Sequence, residues 1–428
     1  MKPVLQVALD FVNLTRALKC ADEAVKGGAD WIEAGTPLIK SEGLDAVRRL
    51  RQKFPRATIV ADMKIMDAGR TEVEIAAKAG ADVVCVLAAA SDSTIKECVA
   101  AAHNYGAKIQ ADLISIKDTM KRAVEIEKLG VDYLGVHCAI DEQMHAKDPF
   151  RQLKEIAKAV HIPIAVAGGI NSETAPAAIK SGASIIIVGG AINKAADAKK
   201  AAQAIKRSIS TLKKIKTELY KRSSDSTLKD VLLKVSTANI SDAMHRGGNL
   251  KEMQVITPGV KMFGRALTVR TYPGDWAKTV QAVDTAEPGQ VIVIDAGGTG
   301  PSVWGELATH GAVQKGIAGV VIHGAIRDIQ EIRKLKFPAF AKLIMSSAGE
   351  PKGFGEIGVP VTIGDIKVFS GDYVVGDDDG VVVLPQQNAV EIANRAMSVL
   401  EMENRLRKEI DEGSTLAKVT ELLKWEKK

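Results

Sequence analysis

The residues Asp62-Met63-Lys64-Ile65-Met66-Asp67 follow an apolar run, Thr58-Ile59-Val60-Ala61, and bring two carboxylates and an ammonium together where a strand gives way to a loop. On a strand, side chains two apart share a face, so Asp62 and Lys64 should emerge together. Asp67 lies beyond the strand and is free to reach elsewhere. An acid–lysine–acid cluster in that position can bind a metal, pin an oxyanion or move a proton. The plain alternative is a solvated loop with a surface ion pair, which contributes little.

Such a cluster needs a scaffold, and the first half of the chain alternates short apolar strands with amphipathic helices. The strands are expected at 4–10, 31–35, 58–64, 82–88, 108–113, 133–138, 162–167 and 184–188. Helical stretches follow them, many ending in Gly-Ala or Gly-Val before the next strand, as at Gly28-Ala29, Gly80-Ala81 and Gly130-Val131. Eight such units predict an α/β fold of the parallel (β/α)8 TIM-barrel type, with a doubly wound open sheet as runner-up. Barrel chemistry sits at the C-terminal strand ends. Those ends read Asp10, Glu33, Asp62 with Lys64, Asp112, His137, Gly168-Gly169 and Gly189-Gly190. Glycine pairs after strands seven and eight offer backbone N–H groups to a phosphate. Glu33 and Asp62, on adjacent strands, carry the hard oxygens that Mg²⁺ prefers. His137, at a mouth full of acids, suits an acid–base role.

The bulk numbers fit this picture. A chain of 428 residues is long enough for two or three domains, and 46% apolar with 26% charged residues is a globular composition. Cys20, Cys85, Cys98 and Cys138 lack metal-ligand spacing and sit in or beside apolar segments, which favours reduced thiols in a cytoplasmic protein. The N-terminal apolar stretch is too short for a signal peptide, and no apolar run reaches membrane-spanning length. The net charge of +6 equals the surplus of seven Lys/Arg over one acid between Lys206 and Arg222. The excess therefore marks a basic linker, placed at 208–227 and ending in a Ser/Asp cluster, and no direct nucleic-acid partner is expected.

Asp10, Glu33, the Asp62-x-Lys64-x-x-Asp67 motif, Val136-His137 with Asp141-Glu142-Gln143 after it, Ala167-Gly168-Gly169-Ile170 and Val188-Gly189-Gly190 together resemble the orotidine-monophosphate-decarboxylase superfamily. Within it, residues 1–207 look like 3-hexulose-6-phosphate synthase. The resemblance implies a Mg²⁺-dependent aldol addition of formaldehyde to ribulose 5-phosphate, or the reverse cleavage for pentose supply. Mg²⁺, with Mn²⁺ as a substitute, would sit on Glu33 and Asp62, and Lys64 would add positive charge at the enediolate oxygen. His137 and Asp10 would move protons, while Gly168, Gly169, Gly189 and Gly190 would hold the phosphate. Asp67 would act across a dimer interface. The alternative in the same superfamily is 3-keto-gulonate-6-phosphate decarboxylase. It usually carries Arg three residues after the strand-six His, where this chain has Ile140.

The second half, 228–428, mixes strands and helices without barrel alternation and is expected to be a separate α/β domain ending in a long helix, 388–412. Its informative run is Asp295-Ala296-Gly297-Gly298, then Trp304-Gly305-Glu306, then His323-Gly324-Ala325-Ile326-Arg327-Asp328. A helix bearing an acid and a loop bearing Arg-Asp can converge on one pocket, where Arg forks a carboxylate and the acids hold a hydrated cation. A structural Arg–acid pair is the plainer reading of Arg327-Asp328 alone. The whole run resembles the family of regulator of ribonuclease activity A and class II 4-hydroxy-4-methyl-2-oxoglutarate aldolases. That resemblance implies a metal on Glu306 and Asp328, a pyruvyl carboxylate on Arg327, and an enolate held by amides around Gly297, Gly298 and Gly300. Oxaloacetate decarboxylation is a second activity it allows. His323 departs from the Asp or Asn expected before Gly324. A non-catalytic ring, trimer or hexamer, that binds a ribonuclease is the other outcome. The expectation is thus a fusion: a phosphosugar aldolase barrel followed by a ribonuclease-regulator-like domain.

Overall fold

The computed structural model describes residues 2–144, 149–217 and 222–420. The side chains of Ile140 and Asp141, and the linker residues Glu218 and Lys221, lie outside the described residues. The chain forms two compact units, Met1–Lys221 with Glu401–Lys428, and Arg222–Leu400. Among the described residues, no helix is long and apolar enough to cross a membrane.

The first unit holds a closed parallel barrel in sequential order: β1 (Val4–Leu9), β2 (Trp31–Ala34), β3 (Thr58–Ile65), β4 (Val83–Leu87), β5 (Lys108–Asp112), β6 (Tyr133–His137), β7 (Ile164–Ala167) and β8 (Ile185–Val188). The expected barrel is present, and the open-sheet runner-up is not. Alternation along each strand sorts the residues. One set, including Leu5, Val7, Ile32, Ile59, Ala61 and Val84, packs with the surrounding helices. The other fills the barrel: Val4, Ala8, Trp31, Val60, Val83, Cys85, Tyr133, Ala165, Ile185 and Ile187 form one apolar cluster. Within it the Trp31 and Tyr133 rings meet edge-on at 5.4 Å. The same two-residue step carries Val4 and Ala8 up to Asp10, Trp31 to Glu33, Val60 to Asp62, and Tyr133 to His137. The fill therefore turns from apolar to charged towards the C-terminal mouth.

The end of the chain departs from the expected boundary. Residues 401–420, which sequence kept with the second domain, pack on the barrel. Arg405 is only 4% exposed. Its guanidinium binds Glu23 on the helix Leu14–Lys26 through two bonds of 3.1 Å, and Glu409 at 2.9 Å. The heptad-like pattern of the helix Ala389–Asp411 announces a helix but does not say which core buries each stretch.

The second unit is a mixed sheet. Its strands are β9 (Gln254–Val255), β10 (Met262–Arg270), β11 (Val291–Asp295), β12 (Gly319–Ile326), β13 (Ala339–Ile344), β14 (Glu356–Ile357), β15 (Val361–Ile363), β16 (Ile366–Val368), β17 (Tyr373–Asp377) and β18 (Gly380–Leu384). The main order is β18-β17-β10-β11-β12-β13-β9, with β14 on β10 and β15–β16 as a separate hairpin. Strand β17 is short, with turn residues crowding its apolar centre, Val374-Val375. Ser236 caps the helix Thr237–Ala243, accepting from Asn239 N at 3.1 Å.

Candidate active sites

At the mouth of the barrel, Asp62 and Lys64 do meet, but by a different route from plain alternation. The β3–β4 register slips between Ala61 and Ile65, and Lys64 takes a left-handed φ of 48°, a conformation that costs energy for a side-chain-bearing residue. The bulge aims Lys64 back over the mouth. Its Nζ lies 2.9 Å from Asp62 Oδ2 and 3.5 Å from Asp112 Oδ2. Asp112 also accepts from Ile114 N and lies against His137 Nδ1, both at 2.9 Å. Thr36 Oγ1 donates to Asp62 Oδ2 at 2.7 Å. A continuous polar chain, Thr36–Asp62–Lys64–Asp112–His137, thus lines the rim.

Three carboxylates of the mouth are scarcely hydrated: Glu33, Asp62 and Asp112 are 6%, 8% and 5% exposed. Burial, then the charges of Asp62 and Asp10, pushes the Glu33 carboxyl well above the usual carboxylate range. Asp10 keeps solvent-accessible surface, yet the crowded rim and then Asp62 raise it too. Asp112 moves the other way: burial opposes its charge, but the His137 hydrogen bond and the charges of His137 and Lys64 outweigh it. Burial likewise works against the Lys64 ammonium, and Asp62 and Asp112 overcome it, so Lys64 stays charged.

Carboxylates that repel one another in a dry site are what a cation would relieve. Gln6 Nε2 donates to Glu33 Oε2 at 2.5 Å, while the buried Gln6 Oε1 has no partner. Among the described residues no group of three or more His, Cys, Asp or Glu has the geometry to hold a metal. Glu33 and Asp62, on adjacent strands, are the two carboxylates that could hold a cation, with water and substrate completing the shell. That donor set fits Mg²⁺.

The glycine pairs flank this cluster. Gly168 and Gly169 have φ of 109° and 68°, and a Cβ on Gly168 would come within 2.6 Å of Cys138 O. A Cβ on Gly189 would come within 2.9 Å of Asp10 Oδ2. Gly190 begins the short helix Gly190–Asn193. Lys194 follows it, its Nζ 3.9 Å from where a Gly190 Cβ would stand, and its charge is felt at Asp10. Sequence reasoning passed over Lys194, Thr36 and Gln6, and read Asp112 only as a strand end. A basic residue four after a glycine pair was the available signal for Lys194. Asp67 is exposed on the loop after β3.

In the second unit, β11 and β12 pair Asp295 with His323, and His323 Nδ1 lies 2.9 Å from Asp295 Oδ1. Gly297 N donates back to Asp295 Oδ1 at 3.1 Å, and Gly297 and Gly298 adopt φ of 73° and 69°. Gly300 precedes a cis Pro301. A cleft of about 680 Å³ beside this loop is lined by Tyr272, Pro273, Pro301, Lys352 and Phe354. Asp328, at φ 59°, accepts from Glu306 N at 3.1 Å and lies 3.5 Å from Arg327 Nε. The acid-x20-Arg-Asp motif is therefore brought together, but through the Glu306 amide. The Glu306 carboxylate instead approaches His310 Nε2 at 3.6 Å. Both acids face solvent, unlike the buried carboxylates of the barrel rim.

Residues 3–205 match the family model for orotidine 5'-phosphate decarboxylase and the HUMPS family. Residues 237–383 match the RraA-like model, Aldolase/RraA. The first half is 43% identical over 206 residues to the 3-hexulose-6-phosphate synthase of Bacillus subtilis, covering 48% of this chain and 98% of that protein. It is 40% identical over 205 residues to the Mycobacterium gastri protein of the same name, covering 48% of this chain and 99% of that one. The RNA-processing inhibitor RraA from Thermus thermophilis is 29% identical, covering 35% of this chain and 93% of its own, with a TM-score of 0.34.

Proposed function

From a chain that belongs, through residues 3–205, to the orotidine 5'-phosphate decarboxylase/HUMPS family, we propose a barrel that works as a Mg²⁺-dependent 3-hexulose-6-phosphate synthase. The observation that carries this reading is the linked chain Asp62–Lys64–Asp112–His137 beside the buried Glu33. Its relatives of that name agree. Bound on Glu33 and Asp62, Mg²⁺ would supply Lewis-acid stabilisation of negative charge on the substrate's oxygens. Lys64, held cationic by two carboxylates, places a fixed charge where the enediolate develops. Asp112 fixes the proton on His137 Nδ1, which leaves Nε2 as the basic nitrogen to take the C1 proton. The carbanion then attacks formaldehyde, and Asp10, at the rim beside Gly189, donates a proton to the new alkoxide. Backbone amides at Gly168, Gly169, Gly189 and Gly190, with Lys194, hold the phosphate. Asp67, exposed on its loop, is assigned to a neighbouring barrel in a dimer. Four buried cysteines with no disulfide among the described residues suit a reducing, cytoplasmic setting.

The test is consumption of ribulose 5-phosphate that requires formaldehyde and is abolished by EDTA, repeated with Asp62→Ala. Release of CO₂ from 3-keto-gulonate 6-phosphate without formaldehyde would move the barrel to the decarboxylase alternative. For the second unit we propose that Arg327, Asp328 and Glu306 act on a 4-hydroxy-2-oxo acid or oxaloacetate, with Gly297, Gly298 and Gly300 near the enolate and further acids from a neighbouring subunit of a trimer or hexamer. Absence of pyruvate release, with capture of a ribonuclease, would make it a binding module.

A further inference from the structure

The two glycine loops of the barrel are held by chain that the synthase relatives lack. The family match ends at residue 205, and the Bacillus subtilis protein is covered to 98% of its length by 206 residues. Two later segments of this chain nevertheless grip the loops after β7 and β8.

The loop after β8 runs Gly189-Gly190 through Ala196, and its last carbonyls would otherwise end free before the helix Ala198–Thr211. Arg405 Nη1 donates to Ala195 O at 3.2 Å and Ala196 O at 3.3 Å, and Lys408 Nζ donates to Ala196 O at 2.5 Å. Arg405 is itself locked by Glu23 and Glu409, and Glu409 also takes Arg16 Nε at 3.1 Å. A buried guanidinium with all three nitrogens engaged has little freedom to move. The loop after β7 is strapped separately: Ile215 N donates to Ser172 O at 3.1 Å, and Thr217 N to Glu173 Oε1 at 3.2 Å. A cleft of about 310 Å³ is lined jointly by Ser172, Lys194, Lys216, Glu401 and Asn404, so the added segments and both loops share one surface.

We propose that Arg405 and Lys408 are positioning residues for the substrate phosphate: they set the β8 loop, as the 215–217 strap sets the β7 loop. The inference rests on the assignment of Gly168, Gly169, Gly189 and Gly190 to a phosphate. It is distinct from any general stabilising role, because it places the effect on one end of the substrate. Loosening an anchor that grips substrate and transition state alike removes uniform binding, which raises KM and leaves kcat unchanged.

The experiment uses the full chain with Arg405→Met, Arg405→Lys and Lys408→Met, each checked for folding by circular dichroism. Arg405→Met should raise KM for ribulose 5-phosphate about tenfold with kcat within about twofold and KM for formaldehyde unchanged. Affinity for inorganic phosphate, titrated calorimetrically, should fall in parallel. Arg405→Lys should recover part of the loss, and Lys408→Met, at a half-buried position, should show about a two- to threefold rise. A fall in kcat with unchanged KM, or unchanged phosphate affinity in folded variants, overturns the proposal. Should Arg405→Met fail to fold, Lys408→Met decides alone, and no change there overturns it. If the wild type binds phosphate but does not turn over, the synthase assignment fails while the phosphate titrations still judge this one.

Discussion

Replacing Asp112 by Asn probes the rim most directly, because one carboxylate serves three partners there. Oδ1 takes Ile114 N at 2.9 Å, a bond that a carboxamide oxygen keeps. Oδ2 faces His137 Nδ1 at 2.9 Å and Lys64 Nζ at 3.5 Å, and there the variant presents either an amide NH₂ or an uncharged oxygen. With NH₂ at that place, His137 must release its Nδ1 proton and carry it on Nε2, so the basic nitrogen turns away from the reaction. A hydrogen bond to a charged group contributes about 1.5–3 kcal/mol. At about 1.36 kcal/mol per tenfold, that is a loss of roughly 10- to 150-fold in kcat/KM. Stability should respond as well, with a defined sign. Asp112 has a lowered folded pKa relative to the ordinary 3.8, so its contribution is present above that value and is lost as pH falls through the folded one. The variant should thus be less stable at neutral pH and show a shallower acid limb. Formaldehyde-dependent loss of ribulose 5-phosphate across pH, with thermal unfolding in the same buffers, measures both. A variant within twofold of wild type at every pH, with an unchanged acid limb, would refute the assignment of His137 as an Asp112-oriented base.

Glu33 gives the opposite sign. Its raised folded pKa means the cation-free protein loses stability as pH rises above the ordinary value of 4.5 towards the folded one. Glu33→Gln should therefore melt higher than wild type without cation at neutral pH, the gain growing with pH, and should lose the upward shift that Mg²⁺ gives the wild type; differential scanning fluorimetry reads both. Gly168→Ala forces a φ of 109° on a side-chain-bearing residue and drives its Cβ to 2.6 Å from Cys138 O. It should cost at least about 1–2 kcal/mol and raise KM for the sugar phosphate, as denaturant midpoints and initial rates will show. Asp328→Ala releases both Arg327 and the Glu306 amide. It should abolish pyruvate release from a 4-hydroxy-2-oxo acid in a lactate-dehydrogenase-coupled assay, a residual rate above about a tenth of wild type being the contrary result.

Much of this protein is written in its local pattern. Eight strand–helix repeats impose a barrel because each strand buries one alternate set outward under helices and the other inward. Strand ends then collect Asp10, Glu33, Asp62, Lys64 and His137 at one mouth, so the candidate residues could be read from period and position alone. Local pattern is silent on contacts that cross long stretches of chain. It did not reveal that Asp112 joins Lys64 to His137, since that needs β3, β5 and β6 at their actual separations around a closed ring. Nor did it reveal the β3 bulge, whose left-handed Lys64 is held by Asp62 on its own strand and by Asp112 on β5. The fate of the last helix was equally hidden. Its apolar spacing predicts helix over 388–412, but only the matching of Arg405 to Glu23, Glu409 and two loop carbonyls decides that residues 401–420 belong to the barrel. Periodicity encodes which face of an element is buried; the partner it is buried against is chosen by complementarity of charge and shape in three dimensions.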